Sequence, residues 1–257
     1  MYQLKITVKD VFEFINGIAP FDTQESWDNS GLLVGKPDAE VKRIAFALDP
    51  TISTLNKAAE DGANLLITHH PVIFDPLRSV LSDTVVFEAI KKDIAIISAH
   101  TCWDIAQGGV NDVLAGIIGL TDITPIVPDE NGNCMLRKGE LKTAVPAEEF
   151  ADIVSVALDT VVRVSSPEKL IKTVAVCGGS GASMLSALKA EGIDAYVTGD
   201  AKHNDFLDAI DLDIALLAAG HYETETVSMP VLKALVSEEY PDIPASYIED
   251  APVKYIG

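Results

Sequence analysis

Basic residues are scarce in this chain of 257 residues: 19 Lys and Arg stand against 39 Asp and Glu, for a formal charge of −20. A surface of that sign repels phosphodiester backbones and anionic headgroups, which excludes non-specific nucleic-acid binding and docking on an anionic membrane. Long apolar runs are also missing, so no segment is expected to span a bilayer. The first residues, MYQLKITVKDVFEF, lack the basic stretch and apolar core of a secretory signal. The three cysteines, Cys102, Cys134 and Cys177, show no Cys-x-x-Cys spacing, which points to free thiols in a reducing compartment rather than a disulfide framework. No low-complexity segment or long linker is present. The expectation is a compact cytoplasmic protein with neither nucleic acid nor membrane as partner. Nearly half of the residues are apolar (48%), enough for two domains of ordinary size.

What is present begins with Thr7–Ile18, where Thr7 and Asp10 form a capping pair ahead of the stripe Val8, Val11, Phe12, Ile15 and Ile18. Pro20 ends that helix, and a polar loop, Glu25–Gly31 (ESWDNSG), follows. Gly31–Val34 reads as a short strand or turn. The most informative pattern is an internal repeat. Val41–His70 (VKRIAFALDPTISTLNKAAEDGANLLITHH) aligns without a gap on Ile171–Asp200 (IKTVAVCGGSGASMLSALKAEGIDAYVTGD). Lys42, Ala45, Leu55, Gly62 and Thr68 meet Lys172, Ala175, Leu185, Gly192 and Thr198. Each segment reads strand, turn, helix, glycine stop, strand. A third strand follows in each, DIAIISAH ending at His100 and the one-residue-longer DIALLAAGH ending at His221, and each leads into His-x-x-x-carboxylate: His100 with Asp104, His221 with Glu225. Helices are further expected at about 84–92, 111–120, 146–162 and 227–239, with a turn-rich stretch over 121–133 and a short segment at 245–248.

All five histidines fall at strand ends: His69 and His70, His100, His203 and His221. Ligand sites of open α/β sheets lie outside the carboxyl ends of strands, and imidazole with carboxylate suits Zn²⁺, Fe²⁺ or Mn²⁺. On extended backbone neighbouring side chains point to opposite faces, so His69 and His70 should not easily share one ion. Each could hold one of two ions, or only one of the pair is functional. Paired ions about 3.5–4 Å apart are a recurrent hydrolytic device. The loop Cys177-Gly-Gly-Ser-Gly-Ala182 lies between strand and helix, where N–H groups could receive phosphate or simply make a tight turn. It lacks the third glycine of a dinucleotide fingerprint. Trp27 either stacks on a base or packs, and packing is the expectation.

Thr68-His-His-Pro71, His100-x-x-x-Asp104, Gly199-Asp200-x-x-His203, Gly220-His-Tyr-x-x-Glu225, Trp27-Asp-Asn-Ser-Gly31 and the Val174–Gly181 loop together resemble the NGG-one-interacting-factor-three-like family. That family is also catalogued as dinuclear metal-centre proteins and as GTP cyclohydrolase 1 type 2, and the resemblance covers nearly the whole chain, in the short bacterial form. It implies an α/β fold of two intertwined domains with mixed sheets flanked by helices, a metal site in the cleft between them, and a ring-like homohexamer. By the same resemblance His70 and Asp104 would hold one divalent ion, His69 and His221 the other, with Glu225 bridging, and His100 would stand behind the ligands. The first domain is expected over 1–125 plus about 226–257 and the second over 126–225. The functional expectation is a dinuclear hydrolase acting on a small anionic substrate such as a purine nucleotide, with His100, Asp200 and His203 as candidate proton carriers. A phosphoesterase is the rival within enzymes, although the Gly-His-x-His element of one such class is missing at Gly220–Glu223. A non-catalytic metal-binding ring protein is the rival outside them.

Overall fold

The computed structural model describes residues 5–253. The chain divides into two compact units: residues through Gln107 together with Met229–Ala251, and Gly108–Ser228.

The first unit opens with α1 (Val8–Ile18), whose Thr7 side chain accepts the Asp10 N–H while the Asp10 carboxylate accepts the Thr7 N–H. Those are two of the N–H groups that a helix start otherwise leaves unpaired. Strand β1 (Gly31–Val34), β2 (Ile44–Ala47), α2 (Ile52–Glu60), β3 (Leu65–Thr68), α3 (Val85–Lys91), β4 (Ala95–Ser98) and the short α4 (Thr101–Ile105) follow. Strands β2, β3 and β4 are parallel, with Ile44 opposite Leu65 and Leu65 opposite Ala95, while β1 runs antiparallel on the β4 edge. Every residue of β2, β3 and β4 is buried. Parallel strands covered on both faces read as continuous apolar runs for this reason. One face carries Ala45, Leu66 and Ile96 against Leu55 and Ala58 of α2 and Val86 and Ala89 of α3. Each fully buried Leu or Ile there contributes roughly 1.5–3 kcal/mol.

The second unit runs α5 (Val110–Ile117), β5 (Thr121–Ile126), β6 (Leu136–Pro146), α6 (Ala147–Leu158), β7 (Arg163–Val164), β8 (Leu170–Cys177), a 3₁₀ helix (Gly181–Ala190), β9 (Ala195–Thr198), α7 (His203–Asp211), β10 (Ala215–Ala218) and the short α8 (His221–Thr226). Its six-stranded sheet has the order β5-β6-β8-β9-β10-β7. β8, β9 and β10 are parallel, and Val174 faces Ala195 as Ile44 faces Leu65. The other pairs are antiparallel. Phe150, Val154, Ile171 and Val197 fill one side of this sheet, and Leu185, Leu188, Tyr196 and Leu216 the other. The chain then returns to the first unit as α9 (Met229–Glu239) and β11 (Ala245–Tyr247), which pairs parallel with the outer edge of β2.

Asp93 and Asp213 stop α3 and α7 in the same way, each in the left-handed region at φ 54° and 57°, where Asp is among the few residues tolerated without glycine. Three expectations change. Thr121–Asn133, read as turns, contains β5, and the eleven-residue β6 follows it. The segment after the glycine loop is 3₁₀ rather than α. Residues 108–125, assigned to the first domain on sequence, lie in the second unit, because β5 pairs with β6 and Leu114 and Ala115 of α5 join the core of that sheet.

Candidate metal centre

In the first unit, β3 delivers His69 and His70 and β4 delivers His100. His69 is fully buried, and its Nδ1 donates to the Ala99 carbonyl at 3.0 Å. His70 donates from Nδ1 to Asp49 Oδ1 at 2.7 Å, from the turn that closes β2. His100 caps α4 and donates from Nδ1 to Asp28 Oδ1 at 2.8 Å. The ring centroids of His69, His70 and His100 lie 5.0–5.4 Å apart. Their ligand atoms come within 4.8 Å of one another, close enough to hold a metal ion. The expectation that His69 and His70 face opposite ways is therefore overturned. β3 stops at Thr68 and the pair lies in a bend, where strand alternation no longer applies. Asp104, one turn into α4 and buried, brings Oδ1 to 3.6 Å from His69 Nε2.

In the second unit, Gly220 caps α8 at φ 87°, His221 opens the helix, and Glu225 follows on the same face. His221 Nε2 lies 3.1 Å from Glu225 Oε2, and its Nδ1 donates to Asp200 Oδ2 at 2.7 Å. Ser180 Oγ donates to the same Asp200 oxygen at 3.0 Å. A Cβ on Gly179, at φ 59°, would overlap Glu225 Oε1, so the glycine is there to let the carboxylate in. The rest of the glycine loop is spent on the fold. Gly178 N donates to Asn111 Oδ1, Gly179 N to Thr224 Oγ1, and Gly181 N to Thr198 Oγ1. Those three N–H groups are committed within the fold, which weakens the phosphate reading of the loop.

The donor set fits a divalent cation. A carbonyl or carboxylate at Nδ1 makes that nitrogen the donor and places the lone pair on Nε2, and metal-binding imidazoles are held in this way by their surroundings. His69, His70, His100 and His221 all show it. Each unit also carries a buried carboxylate, Asp104 in the first and Glu225 in the second. Burial raises the Asp28 carboxyl, but bonds from His100 and Thr101 and the His100 charge outweigh it and hold it well below the usual range. Cys102, the thiol nearest the pattern, is buried and pushed up to about 12, mainly by burial. With no cation beside it, it is a neutral thiol at neutral pH.

Asp200 is thus placed as the acceptor that orients His221. His203 sits exposed on the first turn of α7 and belongs to none of the metal-capable groups among the described residues. Sequence reasoning missed Asp49 and Asp28. Asp49 follows β2 at the same rim as the histidines, and Asp28 lies in the WDNSG loop, so position alone could have flagged both. Trp27, expected to pack, is 58% exposed.

Among the described residues no helix is long and apolar enough to cross a membrane. Among curated proteins, a Streptomyces coelicolor protein described as a GTP cyclohydrolase 1 type 2 homolog is 38% identical over 231 residues, covering 85% of this chain and 81% of its own length. A Drosophila melanogaster NIF3-like protein 1 is 32% identical over 256 residues, covering 92% and 84%. Among solved structures, a hypothetical protein of Staphylococcus aureus superposes with a TM-score of 0.92 at 28% identity, covering 98% of this chain and 100% of that one. The model of one family, Duf34/NIF3 (NGG1p interacting factor 3), matches residues 6–251, and the chain belongs to it.

Proposed function

We propose that this protein is a dinuclear metal-dependent hydrolase acting, like a cyclohydrolase, on a purine nucleotide, with His69, His70, Asp104, His221 and Glu225 holding two divalent cations of Zn, Fe or Mn. The observation that carries the reading is the common state of the imidazoles, each held at Nδ1 by an oxygen acceptor. Cations bound there would supply Lewis acidity and make water a nucleophile near neutral pH. The name carried by curated relatives, GTP cyclohydrolase 1 type 2 homolog, supports the nucleotide. Asp49 and Asp200 keep His70 and His221 in their working tautomer. His100, held at Nδ1 by Asp28, whose other oxygen accepts from Thr101, presents Nε2 as the group that takes up and returns a proton. Asp200 and His203 are the other candidates for that task. The ring-like hexamer belongs to the same proposal.

Elemental analysis of purified protein, run beside a turnover screen of nucleotides and phosphoesters with each metal reconstituted, tests this. Glu225→Gln is expected to lose both metal and turnover. His100→Gln should keep the metal and lose about 10²–10⁴ in turnover, as removal of a proton carrier does, and Asp200→Asn and His203→Ala measure the other two candidates against it. Metal that binds stoichiometrically with no substrate consumed would leave the non-catalytic metal-binding reading in its place. Light scattering on the same sample reads the hexamer.

A further inference from the structure

Beside the imidazoles of the first unit, two large aromatic rings stay in water. Trp27 is 58% exposed and Phe74 47%, although rings of this size are the side chains with most to gain from burial. Their backbone is tightly held. Glu25 N donates to Thr101 Oγ1 at 2.9 Å and Ser30 N to Gln24 Oε1 at 2.6 Å. The Asp28 carboxylate, fully buried, accepts from His100, Thr101 and Ser30. Asn29 Nδ2 donates to the Ile73 carbonyl at 2.6 Å, which ties the Trp27 loop to the Phe74 segment. The two rings are parallel within 5°, with centroids 6.1 Å apart. Each meets the His100 ring nearly at right angles, Trp27 at 5.7 Å and Phe74 at 5.6 Å. His100 in turn lies 5.0 and 5.4 Å from His69 and His70. Ordering two rings without burying them contributes little to stability, and an exposed apolar patch beside polar groups marks a binding surface.

We infer that Trp27 and Phe74 form a preorganised stacking platform for a planar heteroaromatic ring, the base of a nucleotide, held one imidazole away from the metal-binding histidines. A flat ring matches the parallel π faces, and stacking on an aromatic platform tolerates any base. The anionic end of the same molecule would lie toward the cations. Only that end rests on the function proposed above. A single nucleotide rather than a polymer follows from the charge of −20, which opposes a long phosphodiester chain.

The chain carries its own probe. Of its two tryptophans, Trp27 is exposed and Trp103 fully buried, so acrylamide quenching reports on Trp27. GMP and ribose 5-phosphate are titrated into the full chain with and without Zn²⁺ or Mn²⁺. GMP is expected to shield the accessible tryptophan and ribose 5-phosphate to leave it open. By calorimetry, Trp27→Ala and Phe74→Ala should bind GMP about tenfold more weakly and Trp27→Phe within about twofold of the parent, with melting temperature and metal content unchanged. Unaltered GMP affinity in both alanine variants overturns the platform and leaves the metal centre untouched. Shielding that tracks protein concentration instead of GMP also overturns it, and assigns the face, with the exposed Leu77 and Leu81 beyond it, to a second copy of the chain. GMP shielding in the metal-loaded parent protein, with no nucleotide consumed in the turnover screen, supports the platform while sinking the hydrolase.

Discussion

The loop after β2 and the loop after β8 stand at the same place in two strand-turn-helix-strand segments, and they are used in opposite ways. After β2 comes Asp49, whose carboxylate reaches His70. After β8 comes Gly179, whose missing side chain makes room for Glu225. The next strand ends are exchanged in the same sense. β3 is followed by His69 and His70. β9 is followed by Gly199 and Asp200, where a Cβ on Gly199 would stand 2.7 Å from the Gly179 carbonyl and Asp200 serves as acceptor for His221. One unit thus places an acid before its histidines where the other places a glycine, while both bring a carboxylate on a short helix, Asp104 on α4 and Glu225 on α8. A repeated backbone supplies positions at a rim. Which chemistry each position carries depends on whether its neighbour needs a partner or space.

The sharpest way to break that contrast is Gly179→Ala. The new Cβ would collide with Glu225 and sit at φ 59°, a conformation alanine tolerates poorly. A loss of about 3 kcal/mol in thermal or denaturant unfolding is expected, with depleted metal content, whereas Asp49→Ala in the corresponding loop should leave the fold intact. Next in size is Asp28→Asn. It leaves the Thr101 and His100 donors with a weaker acceptor in a buried place, for about 2 kcal/mol read by denaturant titration. The rotated His100 should show in a changed NMR signal of its imidazole. Asp49→Ala and Asp200→Ala test whether the two units support their histidines equally. Each should weaken metal binding about tenfold by competitive chelator titration, and a loss confined to one of them would mean that only one unit carries ligands.

The smallest effects lie far from the rim. Thr7→Ala should cost about 1 kcal/mol through the lost cap on α1. The same cap predicts a pH effect. Bonds from the Thr7 hydroxyl and backbone N–H hold the Asp10 carboxyl below its usual value, so its folded pKa lies under the unfolded one. Its contribution to stability is present above the unfolded value of about 4 and is lost as pH falls through the folded one. Asp10→Asn should therefore flatten the acid limb of the stability profile below about pH 4 and leave the neutral region with a constant offset.

What sequence revealed depended on how much a residue's role is written in its neighbours along the chain. Thr7 and Asp10, the apolar run Leu65–Ile67 of β3, and the helix over 84–92 are local, and they were legible; α7, with only Ala209 of its residues buried, was not. β5 and β6 were missed because most of β5 is exposed, with Thr121, Asp122, Thr124 and Pro125 outside the core, so little apolar periodicity marks it. The bend at His69–His70 was missed because alternation was carried two residues past the strand end at Thr68. The matching His-x-x-x-carboxylate pairs proved offset. His100 caps α4, while the cap of α8 is Gly220 and His221 is its first residue. One inserted residue therefore turns the second pair by about 100° on the helix, which separates the work of His221 from that of His100. Asp28 lies 72 positions from its imidazole, a distance that no local pattern spans.

β11 has a consequence for how the molecule is made. It completes the first sheet by pairing with β2, yet all of the second unit lies between them in the chain. On a ribosome adding about 5–20 residues per second, Ile44–Ala47 waits on the order of 10–40 s for Ala245–Tyr247. Through that interval its outer edge offers unpaired N–H and C=O groups to any strand nearby. The second unit can close its own sheet first. The nascent chain is therefore most vulnerable to wrong pairing at β2, and a chaperone or a slowed stretch of translation would help most there.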